Sequence, residues 1–129
     1  MSRRAVTVLV VEDDDLFREM TVKLLRRDGR EVLAASDASQ ALALARKKGG
    51  PIDLLVTDLV MEEGDGLVLA GDLLCRHPAM KVLFMSGYGQ QAMQSLAAPD
   101  RSFIEKPFTP ATLERAVEEL LAGLPRNGP

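Results

Sequence analysis

Four acidic residues in a row, Glu12, Asp13, Asp14 and Asp15, follow the apolar run Val6-Thr7-Val8-Leu9-Val10-Val11. A lone Asp58 follows Ile52–Thr57, Ser86 follows Lys81–Met85, and Lys106-Pro107 follows Arg101–Glu105. These positions lie far apart along the chain, so they can act together only if a fold gathers them. Gathered carboxylates repel one another and raise each other's pKa unless a cation joins them. A donor set made only of oxygen favours a hard cation, Mg²⁺ first and then Mn²⁺ or Ca²⁺, over zinc. With Glu12 taken as peripheral, Asp13 and Asp58 cancel the charge of Mg²⁺, and Lys106 leaves one positive charge for an incoming phosphoryl group. Phosphoryl transfer asks mainly for positioning and charge neutralisation, and a carboxylate can serve as the nucleophile, giving an aspartyl phosphate.

The elements that must gather these residues are readable from the apolar pattern. Strands are expected at Val6–Val11, Glu31–Ala35, Ile52–Thr57, Lys81–Met85 and Arg101–Glu105. Four of them lack strict alternation, as strands covered on both faces do; Glu31–Ala35 is the weakest and belongs nearer an edge. A first helix runs from about Asp14 to Asp28 and stops at Gly29, a C′ glycine. Asp37 with Gln40 resembles a capping box, and that second helix ends at Gly49-Gly50-Pro51. A third runs from about Asp65 to Arg76, closed by His77-Pro78, and a short polar fourth lies near Gln90–Leu96. The last opens on Thr109-Pro110, an N-cap followed by an N1 proline, and its Leu113, Ala116, Val117, Leu120, Leu121 and Leu124 keep helical spacing. Strand–helix alternation of this kind predicts a parallel sheet with helices on both faces. Right-handed crossovers make it doubly wound. Ligands of such sheets sit beyond the carboxyl ends of the strands, where the acids, the serine and the lysine stand.

Composition narrows the function. The 129 residues suit one domain, and a net charge of −3 disfavours nucleic acid or an anionic membrane as a partner. Five scattered aromatics (Phe17, Phe84, Tyr88, Phe103, Phe108) offer no base-stacking platform. The single Cys75 excludes an internal disulfide and a thiolate zinc site. No apolar run approaches the roughly 20 residues needed to span a bilayer, and Ser2-Arg3-Arg4 leads into a run too short for a signal peptide. A reducing, cytoplasmic compartment is the expectation.

Four segments together carry a resemblance. Val8–Asp14, Val56-Thr57-Asp58-Leu59-Val60-Met61, Phe84-Met85-Ser86-Gly87 and Phe103-Ile104-Glu105-Lys106-Pro107-Phe108 resemble the signatures of two-component response-regulator receiver domains. Each is weak alone; in order, at the ends of four strands, they are specific. The resemblance implies a flavodoxin-like α/β fold, a doubly wound five-stranded parallel sheet of order 2-1-3-4-5 with five helices. It makes residues 1–129 a single receiver domain, with a core at about 5–124 and short flexible tails. Asp58 matches the aspartate that takes a phosphoryl group from a kinase phosphohistidine. Glu12 and Asp13 match the acids that hold Mg²⁺ (or Mn²⁺), together with Asp58 and the carbonyl of Val60. Ser86 and Lys106 match the hydroxyl and ammonium that contact the phosphoryl group, and Phe103 matches the aromatic switch that responds to Ser86. The implied output face includes the fourth helix, the fifth strand and the last helix.

The implied role is a phosphoacceptor signalling switch that promotes its own phosphorylation and dephosphorylation without multiple turnover. Its partners would be a histidine kinase or histidine phosphotransfer protein and a downstream protein. A phosphorylation-dependent homodimer is among the assemblies the resemblance allows. Met85-Ser86-Gly87-Tyr88 is similar to receivers attached to hybrid histidine kinases, so the chain is read as a stand-alone receiver or one excised from a larger protein. Glu62 stands where the family often has proline. Apolar Val60 and Tyr88 stand where family side chains govern the access of water, so slow spontaneous dephosphorylation is expected.

Blander roles compete for the same residues. Asp14 and Asp15 could simply favour a helix N-terminus, Asp58 could cap a turn, Ser86 could be a turn hydroxyl, Lys106 an exposed loop lysine and Phe103 plain core. A different chemistry, a Mg²⁺-dependent phosphatase of the haloacid-dehalogenase type, would use Asp13 as nucleophile in the Asp13-Asp14-Asp15 segment. A flavin mononucleotide carrier would need a hydroxyl- and glycine-rich phosphate loop where Glu12–Asp15 stand.

Overall fold

In a computed structural model, residues 5–61, 64–87 and 100–122 are described. The apolar runs form β1 (Thr7–Val11), β2 (Glu31–Ala35), β3 (Leu54–Asp58), β4 (Lys81–Ser86) and β5 (Arg101–Glu105), joined in one sheet of order β2-β1-β3-β4-β5. Every pairing is parallel. β1 and β3 are buried along their whole length, as central strands with both faces covered must be. The charged, half-exposed β2 takes an edge, as its composition predicts.

Four helices stand among the described residues: α1 (Asp15–Leu25), α2 (Ala38–Lys48), α3 (Gly66–Leu74) and α4 (Pro110–Leu121). The helix expected near Gln90–Leu96 lies outside the described residues. Each helix begins where a side chain satisfies its first free N–H groups. Asp14 accepts from Phe17 N–H, Asp37 from Gln40 N–H, Asp65 from Leu67 and Val68 N–H, and Thr109 from Thr112 N–H. Gly29 and Gly49 end their helical segments at φ 75° and 71°, a conformation that favours glycine.

Boundaries differ from the sequence expectation where a side chain intervenes in the backbone pairing. Thr7 N–H donates to the Asp53 carboxylate at 2.9 Å, and Asp53 N–H returns to Thr7 O at 2.9 Å. Buried Ile52 and Asp53 therefore precede the ladder, and β3 starts at Leu54. The first helix tightens into a 3₁₀ turn over Arg26–Asp28. The third stops at Leu74, with His77 N–H turned back to Leu73 O.

Two cores flank the sheet. Val8, Val10, Leu54 and Val56 face α1 and α4 on one side. Leu9, Val11 and Leu55 face α2 and α3 on the other. The two-residue period of strands puts Asp58 in phase with Val56, and Glu12 and Lys106 in phase with Val10 and Ile104, toward the α1/α4 side. Parallel register aligns the carboxyl ends: Val11 lies opposite Ala35 and Thr57, Asp58 opposite Met85, and Ser86 opposite Glu105.

The return from β3 to α3 is unusually close. Gly66 N–H donates to Leu59 O at 2.8 Å, and a Cβ on Gly66 would overlap the backbone carbonyl of Asp58. Gly71, in the same helix, has open space at that position. Gly66→Ala is therefore expected to destabilise the fold by about 1–3 kcal/mol through backbone displacement. Gly71→Ala is expected to stabilise it by about 0.5–1 kcal/mol through helix propensity. Urea unfolding of the two variants checks the opposite signs.

Candidate functional site

The sheet edge gathers the predicted residues through main-chain bonds that continue past the strands. Glu12 N–H donates to Ala35 O at 3.1 Å, Leu59 N–H to Met85 O at 2.8 Å, and Lys106 N–H to Ser86 O at 2.7 Å. These bonds hold Glu12, Asp58, Ser86 and Lys106 along one rim. Glu12, Asp58 and Ser86 are buried there, Asp13 is exposed, and Lys106 is half-buried. Lys106 Nζ lies 2.6 Å from Glu12 Oε1 and 2.6 Å from Asp58 Oδ1. The second Glu12 oxygen accepts Asp14 N–H at 3.0 Å.

Asp58 is the residue left in electrostatic deficit. Both its oxygens are buried, and neither accepts a hydrogen bond among the described residues; the Lys106 contact is an ion pair without hydrogen-bond geometry. A buried carboxylate in that condition is costly. One oxygen each from Glu12, Asp13 and Asp58 lie within 4.8 Å of one another. Three hard oxygen donors, one of them from the unsatisfied Asp58 carboxylate itself, fit a small divalent cation. Beside them opens a cleft of about 320 Å³ lined by Asp58, Val60, Met85, Ser86, Gly87 and Lys106. It is large enough for a phosphoryl group.

The protonation state of the cluster reflects its crowding. Burial, and then the neighbouring Asp58 carboxyl, push Glu12 up to about 7, against the pull of Lys106 and Asp14 N–H. Lys106 moves upward as well. Burial alone would lower it, but Asp58 and Glu12 outweigh that.

Other expected residues take varied places. Asp14 is the helix cap, and Asp15 pairs with Arg18 at 2.7 Å, so both serve the start of α1. Val60 is exposed and bridges to Asp65 in the β3–α3 connection. Phe103 stacks on Phe84 with centroids 5.1 Å apart, in the α2/α3-side core. Tyr88 and Glu62 lie outside the described residues. Two contributors were not foreseen. Gly66 allows the close approach to Asp58, and the ring of Phe17 lies 4.5 Å from Lys106 Nζ. The first had a faint signal, a glycine directly after a capping aspartate. The second had none, because Phe17 and Lys106 meet only in the folded chain.

A folded protein that holds a proton on Glu12 up to about pH 7 loses stability as pH rises. The unfolded chain gives that proton up in the ordinary carboxylate range, near 4.5. Stability from this group is therefore full below that range and is lost as pH climbs through about 7. In chelator-treated protein the loss should be on the order of a few kcal/mol and should be flattened in Glu12→Gln. Urea unfolding at pH 5 and pH 8 checks it.

Comparison with known proteins supports one family. The model of the response regulator receiver domain matches residues 8–118. The chain is 37% identical over 119 residues to the sensor kinase CckA of Brucella abortus (strain 2308), covering 91% of this chain and 13% of that protein. It thus spans a small part of that relative. It is 34% identical over 116 residues to the response regulator receiver protein CpdR of the same organism, covering 88% of this chain and 95% of that one. Among solved structures, a response regulator receiver protein from Sinorhizobium medicae WSM419 superposes with a TM-score of 0.81 at 32% identity, covering 93% of this chain and 97% of that chain. The phosphatase alternative centred on Asp13 is not supported. The family model that matches is that of a receiver domain, and the buried carboxylate without a hydrogen bond among the described residues is Asp58, while Asp13 is exposed. With its sheet order, its strand-end acids and this match over most of its length, the chain belongs to the response regulator receiver domain family and is a phosphoacceptor signalling domain of two-component systems.

Proposed function

We propose that Asp58 is the phosphoacceptor, with Lys106 and Ser86 contacting the transferred group. Mg²⁺, or Mn²⁺ in its place, would be held by Glu12, Asp13, Asp58 and the carbonyl of Val60. The observation that carries this reading is the state of Asp58: a buried carboxylate at the mouth of a cleft, with the Lys106 ammonium beside it and no hydrogen bond to either oxygen from the described residues. When bound, the cation would supply charge neutralisation for the acids and the incoming phosphoryl oxygens. In the transfer, an Asp58 oxygen attacks phosphorus and the P–N bond of a phosphohistidine breaks. Its electron pair stays on the imidazole nitrogen of the donor. The Lys106 ammonium and Ser86 hydroxyl donate to the phosphoryl oxygens, and the product is an acyl phosphate on Asp58.

The switch would follow from Ser86. Drawn toward the new oxygens, its hydroxyl leaves space that Phe103 can enter on leaving its stack with Phe84. Phosphorylation then acts as a local charge change that biases a two-state element. The phosphodonor would be a histidine kinase or a histidine phosphotransfer protein in the cytoplasm, and the exposed side of β5 and α4 would meet a downstream partner. Similarity to a segment of a sensor kinase and to almost the whole of a single-domain receiver supports both architectures equally.

Incubation with phosphoramidate and Mg²⁺, followed by intact mass, should add one phosphoryl group to the wild-type chain. Asp58→Asn should add none, and chelation of the metal should abolish the gain in the wild type. Labelling of Asp58→Asn at another residue overturns the assignment. Once loaded, the protein should lose phosphate slowly, because Val60 offers no group to orient water; Val60→Asn should lose it faster. Timed mass spectra after removal of the donor check both rates.

A further inference from the structure

Lys106 carries its charge on a flexible four-carbon stem, and an ammonium is a point charge without directional shape. It stands between two carboxylates at equal distance, 2.6 Å from Glu12 Oε1 and 2.6 Å from Asp58 Oδ1. The Glu12 contact is a hydrogen bond and the Asp58 contact an ion pair, and the charge on Asp58 is the one that changes when a phosphoryl group arrives. A third contact is of another kind. Nζ lies 4.5 Å from the centroid of the Phe17 ring, inside the ~6 Å reach of a cation–π interaction. The negative face of a ring attracts a cation, does not titrate, and is indifferent to what Asp58 carries.

The backbone that carries the ring is fixed on both sides. Phe17 N–H donates to the Asp14 cap at 2.8 Å, and its carbonyl accepts the hydroxyl of buried Thr21 at 2.8 Å. Arg18 ties the same helical turn to the loop bearing the acids, donating to Glu12 O at 2.9 Å. Phe108, two residues after the lysine, packs on Phe17 in a T-shaped contact with centroids 5.2 Å apart and an interplanar angle of 81°. The start of α1 and the segment after β5 therefore converge on one ring, over which Nζ lies.

We propose that Phe17 is a positioning residue for phosphoryl transfer, its ring face holding the Lys106 ammonium beside Glu12 and Asp58 while the charge on Asp58 changes. The inference rests on the reading of Asp58 as phosphoacceptor and deepens it. Packing and cation holding are separable here, because leucine can fill the half-buried space of Phe17 but has no ring face.

The test combines a spectroscopic and a kinetic readout on the whole chain. In metal-free protein, the ε-methylene protons of Lys106 should resonate upfield of the other lysines through the Phe17 ring current. That shift should vanish in Phe17→Leu and persist in Phe17→Tyr. With phosphoramidate and Mg²⁺, the initial rate of Asp58 labelling should fall about five- to tenfold in Phe17→Leu and stay close to wild type in Phe17→Tyr. In a Lys106→Met background, Phe17→Leu should cost nothing further. A Lys106 signal without the upfield shift overturns the proposal, as does equal slowing by Phe17→Leu with and without the ammonium. A wild-type chain that takes no phosphate overturns the phosphoacceptor reading instead, and the ring-current shift then still decides whether Phe17 holds Lys106.

Discussion

Two carboxylates are buried at one sheet edge, and a single ammonium stands 2.6 Å from each. That imbalance governs the site. Burying two negative charges together is unfavourable unless something neutralises them, and Lys106 can answer for only one. Burial, and then the Asp58 carboxyl, push Glu12 up to about 7, which favours a proton there. The Asp58 oxygens accept no hydrogen bond from the described residues. The acidic cluster of Glu12, Asp13 and Asp58 in that condition could hold a metal ion. The same arrangement inside a core would merely be destabilising. At the mouth of an open cleft, it is chemistry held in reserve.

Holding that imbalance in place requires a stiff frame. Glu12, Asp58 and Lys106 are fixed by main-chain bonds that run one residue beyond the ladders, so their Cα positions are those of the sheet itself. Helix starts complete the frame. Asp14 caps α1 and Asp65 caps α3, each putting a helix N-terminus close to the acidic rim. Gly66 lets the second of these helices begin directly against the Asp58 carbonyl. Away from the site, the Arg30 guanidinium joins α1 to α4. It bonds to Leu25 O at 3.3 Å and to Glu114 at 2.8 Å, so the two helices that cover the acidic face of the sheet are held to each other.

How far sequence reasoning reached varies with the kind of signal. Continuous apolar runs and capping residues act locally, so β2, β5 and the starts of all four described helices fell where residue types place them. The start of β3 was missed by two residues because a distant side chain, Asp53, takes the N–H of Thr7 that a regular ladder would use. The exposed Asp14 and Asp15 look like members of the acidic site in the linear chain. Their side chains instead cap and brace the first turn of α1. The ring of Phe17 reads as an ordinary core aromatic until the fold lays Lys106 across it.

The chemistry of the site was present in the residue types alone: oxygen donors, a hydroxyl and an ammonium, each placed directly after an apolar run. Strand periodicity and the rule that α/β ligands lie at carboxyl ends then say which edge they share. Tertiary structure decided what depends on distance and burial. It separated buried Glu12 from exposed Asp13, although they are adjacent in the chain. It made Lys106 common to two acids, and it left Asp58 the carboxylate whose oxygens have no hydrogen-bond partner among the described residues. Composition and spacing specify which groups exist, whereas desolvation and Coulomb energy depend on separations of a few ångströms that only the packed chain sets.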